Sequence, residues 1–135
     1  MKALRPLRVA CLLTLAAGSM AAVLSGAGYL ERLLPGGLPL GNALVALGLV
    51  AAAAAAWVLA PRRTWVAAAS GIVLLLAVAW LPVSIALAGN LALNFSDDRG
   101  STWWVFSLGL LLAILVSLAG AMLAAWRHVV RARRH

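Results

Sequence analysis

The chain has 135 residues, 65% of them apolar and only 10% charged, with a formal net charge of +8 and a mean hydropathy of +1.05. A helix that is apolar all round must be buried in protein or in lipid, and too few polar residues are present to clothe a water-facing surface of this size. The composition therefore excludes a soluble domain.

Four stretches hold no Lys, Arg, Asp, Glu or His: 9–30, 38–60, 65–88 and 103–126, of 22, 23, 24 and 24 residues. At about 1.5 Å rise per residue, each reaches across a hydrocarbon core of roughly 30 Å. The expected fold is an all-α membrane protein. It is a four-transmembrane-helix bundle in an antiparallel, up-down arrangement, forming a single domain over 1–135.

The first stretch follows Lys2, Arg5 and Arg8. Ser19 and Ala21 have the small-residue spacing of a signal-peptide cleavage site, but the apolar run continues to Leu30, so the segment is expected to span rather than be removed. Cys11 is the only cysteine, and a single thiol forms no internal disulfide and runs no dithiol cycle. A turn follows at 31–37, broken by Pro35, Gly36 and Gly37. The second stretch contains the alanine run 51–56 and ends at Pro61, and the four-residue link 61–64 makes stretches two and three a hairpin. Within the third stretch, Pro82 lacks a backbone N–H and crowds the Val78 carbonyl, so a kink is expected there. Trp80 lies well inside the same stretch, and its indole N–H is expected to find a partner within the protein. Segment 89–102 comes next, with Ser101 or Thr102 expected to cap the last helix. The remaining aromatic rings fall at the ends of the stretches, with Trp57, Trp65 and Trp126 at one interface and Tyr29, Trp103 and Trp104 at the other.

Charge placement gives the orientation. Lys2, Arg5, Arg8, Arg62, Arg63, Arg127, Arg131, Arg133 and Arg134 put nine basic residues and no acid on one side. The other side carries Arg32 and Arg99 against Glu31, Asp97 and Asp98. Under the positive-inside rule the basic side is cytoplasmic, so both termini are inside. Arginine outnumbers lysine ten to one and alanine is abundant, a bias typical of GC-rich genomes, so the expected site is a bacterial inner membrane. Topology accounts for the positive charge, and no nucleic-acid partner is expected.

Chemistry-bearing residues are scarce inside the stretches. Thr14, Ser19, Ser25, Asn42, Ser70, Ser84, Ser107 and Ser117 are the polar ones, and a Ser or Thr can return its hydrogen bond to a carbonyl of its own helix. Coupled transport normally places ionisable groups in the membrane, and haem ligation would need histidine there, whereas His128 and His135 lie in the tail. No catalytic residue, metal or cofactor is expected. Gly109, Ala113, Ser117, Ala121 and Ala125 recur every four residues in the last stretch, the kind of small-residue stripe that lets helices approach closely in lipid. Asp97, Asp98 and Arg99 form a candidate interaction surface in the outer segment. The basic tail, with Arg127, Arg131, Arg133 and Arg134, is expected to contact anionic headgroups at about 1 kcal/mol per basic residue. These features point to a non-catalytic accessory, assembly or stabilising subunit that packs against another membrane protein or a second copy. Two other classes fit the same residues: a small oligomeric transporter or holin-like pore-former, and a lipid or quinone binder using Trp80 and the Pro82 kink.

Overall fold

A computed structural model describes residues 4–132, which are helical apart from the connecting turns. In chain order the helices are α1 (Leu4–Leu24), α2 (Leu40–Leu59), α3 (Trp65–Ala88) and α4 (Arg99–Ala132), with a 3-10 turn at Gly28–Glu31 after α1. All four α-helices are long and apolar enough to cross a membrane. Lys2, Arg133, Arg134 and His135, all named above, lie outside the described residues.

Local chemistry explains where each helix begins and stops. α3 coincides with the expected 65–88. Thr64 caps its start: the hydroxyl oxygen accepts from the Ala67 N–H at 3.2 Å and donates to the Pro61 carbonyl at 2.7 Å. At its end, Gly89 adopts a left-handed φ of 73° and its N–H bonds the Ile85 carbonyl, a conformation that glycine takes without a Cβ penalty. The helix runs through Pro82 without interruption.

The other helices depart from the apolar runs. α1 starts before residue 9, because Pro6 sits in the first turn, where its missing N–H had no helical partner to lose. It ends at Leu24, since Gly26 turns left-handed at φ 63° while the apolar run continues. α2 is trimmed to begin after Pro39 and to end before Ala60, whose extended backbone (ψ 137°) is the conformation that the following Pro61 favours. α4 begins a turn early. The N–H groups of Ser101 and Thr102 bond the Asp98 carbonyl, so Asp98 rather than Ser101 or Thr102 stands at the helix entry. α4 also continues past residue 126 to Ala132, because charge ends the apolar stretch while Arg, His, Val and Ala all sustain a helix.

α2 is the hub. It packs against α1, α3 and α4, while α3 also packs against α4. Ala51, Ala53, Ala55 and Ala56 are all buried and spread over more than half of the helix circumference, as a helix packed against three others requires. The central cluster joins Leu49 and Ala53 of α2, Ala77 and Trp80 of α3, and Leu110 and Ile114 of α4. α1 packs tightly on α2 at Gly48, which faces Ser19 and Met20.

Candidate functional site

The most elaborate side-chain arrangement joins α3 to α4. Trp80 of α3 donates its indole N–H to Ser107 Oγ of α4 at 2.9 Å, and Trp103 of α4 donates to Ser84 Oγ of α3 at 2.9 Å. The partner that Trp80 was expected to need is therefore Ser107. Each helix supplies a Trp and a Ser four residues apart, so both lie on one face of their helix and the two faces clasp reciprocally. The two rings stand 6.2 Å apart and tilted at 48°. A Trp-x-x-x-Ser spacing at 80–84 and again at 103–107 was the signal available in the sequence.

Further along the same interface, Ser70 and Ser117 share a hydrogen bond of 2.8 Å. Four of the serines thus cross between helices instead of returning to their own carbonyls. Ser25 behaves in the expected local way, donating to Ala22 O at 2.6 Å. Ser70 is only 1% exposed, so Ser117→Ala should strand a buried hydroxyl and destabilise the protein by about 1 kcal/mol, while the Ser70→Ala/Ser117→Ala double variant should recover most of that loss. A double-mutant cycle on unfolding free energy in bicelles checks this.

The expected small-residue stripe does not remain on one face. Ala121 is buried, Ala113, Ser117 and Ala125 are half-buried, and Gly109 is exposed with room for a Cβ to meet nothing within 4 Å. A strict four-residue step drifts by about 40° per repeat against a helix of 3.6 residues per turn. The inward line alternates steps of four and three instead, through Trp103, Ser107, Leu110, Ile114, Ser117 and Ala121. Leu110, expected on a neighbouring face, is one of the most buried side chains of α4 at 4% exposure.

The 89–98 loop is tied to the bundle. Asn90 donates from Nδ2 to the Asn94 carbonyl at 2.8 Å and accepts from the Asn94 N–H at 3.0 Å, while Asn42 of α2 donates to the Leu91 carbonyl at 3.0 Å. Phe95 lies against Trp103 at 5.0 Å. Leu93 is held at φ 56° with its side chain packed toward the core, a left-handed conformation that is costly for leucine. Asp97, Asp98 and Arg99 project outward and are exposed. Asn42 was noted in the sequence only as a polar residue of the second stretch, and Asn90 and Phe95 were given no role, yet all three do the positioning here.

At the opposite end, Arg5 of α1 reaches the end of α2. Its Nε donates to the Val58 carbonyl at 2.9 Å and its Nη2 to the Leu59 and Ala60 carbonyls at 2.8 Å each. These are the acceptors that a helix leaves unpaired at its C-terminus, where a cation also meets the negative end of the dipole. Arg127 and Arg131 are exposed on the last turns of α4 and, with Trp126 and Val130, border a shallow cleft. Arg133 and Arg134 of the same tail lie outside the described residues. Among the described residues, no three His, Cys, Asp or Glu side chains gather as a metal-ligand group. Comparison of the chain with protein-family models, with curated proteins and with solved structures finds no match in any of the three.

Proposed function

We propose that the protein is a non-catalytic subunit of a bacterial inner membrane that stabilises or assembles a larger complex by packing against other membrane helices. Its four helices cross the bilayer in an antiparallel, up-down order with both termini in the cytoplasm. Two contacts support that order. Arg5 near the start of α1 grips the end of α2, and the reciprocal Trp–Ser bonds of α3 and α4 suit helices that run in opposite directions.

The observation that carries the subunit role is the division of labour on α4. Its inner face spends its polar groups on α3, through Trp103, Ser107 and Ser117. The centre is filled by Ala53, Ala77 and Ile114 rather than by groups that could pass an ion. The outward face sets Gly109 among Val105, Leu112 and Val116, which are 75%, 63% and 64% exposed. In lipid, a small residue flanked by branched ones favours close approach of another helix. Arg127 and Arg131 lie where anionic headgroups would anchor the end of α4.

The test is purification of the tagged protein in mild detergent. A membrane protein should accompany it at fixed stoichiometry and be lost in Gly109→Leu, with the melting temperature unchanged because that position faces no neighbour within the chain. Retention of the partner by Gly109→Leu, or a chain that purifies alone, overturns the proposal. Self-association with ion conductance in planar bilayers would favour a pore-former instead. Reporter fusions address orientation: one active only outside the cytoplasm should give signal at Ser96 and none at Arg63 or His135.

A further inference from the structure

At the end where the 89–98 loop crosses, the helices do not close on one another. A cavity of about 360 Å³ lies between Met20 of α1 and Leu108 of α4, with α2 from Asn42 to Leu49 as its floor, Trp80 behind it and Leu93 of the loop above. We propose that this cavity holds one acyl chain of a membrane phospholipid, as a retained lipid distinct from the exchanging lipid around the protein. The proposal shares the bilayer placement given above and needs no protein partner.

The chemistry of the walls selects the occupant. Trp80 and Trp103 both line the cavity, but their indole N–H groups are already committed to Ser107 and Ser84. Those two rings therefore offer carbon, while Trp104 and Ser107, which also line the cavity, keep donor capacity; the greater part of the wall is apolar, which suits an aliphatic chain. Polar capacity is concentrated at one end. Asn42, in the first turn of α2, uses one Nδ2 hydrogen on the Leu91 carbonyl, and its amide has further hydrogen-bonding capacity for a glycerol ester. From Asn42 down to Leu49 the floor descends two helical turns, about 10 Å, becoming wholly apolar, as a chain entering from the headgroup layer requires.

Size excludes a protein segment. With side chains a helix is about 10–12 Å across, whereas this cavity is at the small end of the roughly 300–1,000 Å³ that small-molecule sites occupy. The loop that lines the cavity is also tied in place. Leu93 is kept in its left-handed conformation by the Asn90–Asn94 clip and the Asn42 bond, and strain that surrounding bonds maintain is a mark of functional sites. The open side adjoins Leu108 and Leu111, both exposed, so a chain enters sideways from the bilayer without crossing the protein.

Native mass spectrometry of the full chain in detergent, after incubation with palmitoyl-oleoyl phosphatidylglycerol, tests the site. The parent protein and Val116→Trp, on the exposed far side of α4, should retain a single lipid. Ala92→Trp and Leu108→Trp, which fill the cavity from the loop and from its rim, should lower occupancy by about tenfold. Absence of a retained lipid from the parent, or equal retention by all four proteins, overturns the proposal, as does preferential retention of a free fatty acid or an isoprenoid quinone offered alongside. A measurement that needs no variant accompanies it: the same phospholipid brominated along its chain should quench tryptophan emission at a one-to-one ratio, and absence of quenching counts against the site. Reporter fusions with reversed orientation would instead overturn the membrane topology, so the two failures are separable.

Discussion

Trp80→Ala should be the most damaging single substitution in the α3–α4 interface, lowering unfolding free energy by about 3 kcal/mol, the low end of the range for removing a large aromatic side chain from a core. The low end applies because lipid is about as apolar as a leucine side chain, so part of the usual transfer term disappears. What remains is lost contact with the central cluster and with Trp103, together with a Ser107 hydroxyl deprived of its donor. Trp80→Phe keeps most of the ring and loses only the N–H, and should cost about 1 kcal/mol. Reversible unfolding in bicelles reads both values. Equal losses for Phe and Ala would mean that the hydrogen bond, and not packing, dominates.

Gly48→Leu should separate α1 from α2. A Cβ at position 48 would lie 2.8 Å from Met20 Cε and 3.4 Å from Ser19 Cβ. The methionine terminus can swing aside, so Gly48→Ala should be tolerated within about 1 kcal/mol. The Ser19 Cβ belongs to a residue only 5% exposed and cannot retreat without moving α1. A leucine there overpacks the contact by about 3 kcal/mol or more. Hydrogen exchange should rise along α1 while the α3–α4 interface stays protected. Exchange that rises equally in all four helices would show that α1 is not a separable layer.

The existence of four long apolar helices was legible because composition alone specifies them. α3 was legible to the residue, since Thr64 and Gly89 mark its ends in the sequence as they do in space. Apolarity does not define a helix end, however. Gly26 stops α1 inside an apolar run, and Arg127 and Arg131 continue α4 beyond one. The stripe on α4 reads as one line in the sequence, but a four-residue repeat drifts around the helix, so Gly109 faces outward while Ala113, Ser117, Ala121 and Ala125 are buried or half-buried. The clasp needs knowledge of which helices are neighbours, which a single chain does not state, although the repeated Trp-x-x-x-Ser spacing was visible. Arg5 reads in the sequence only as a topogenic charge, and its hold on three carbonyls of α2 is a tertiary fact.

The alanine run at 51–56 also bears on how the molecule assembles. An alanine has no rotamers to lose, whereas fixing a leucine or isoleucine side chain costs about 0.5–1 kcal/mol of entropy. The middle of α2 therefore freezes almost no side-chain motion of its own as its neighbours settle on it. The link to α3 is five residues, 60–64, and the longer one to α1, 25–39, is partly ordered by its 3-10 turn, so closing them forfeits little chain entropy, and α2 can act as a template while the chain emerges from its N-terminus. The contact of α2 with α4 closes the longest stretch of chain, because the whole of α3 lies between them. The slow, vulnerable step of folding is thus the docking of α4, the helix that carries the tryptophan–serine clasp and the exposed face around Gly109.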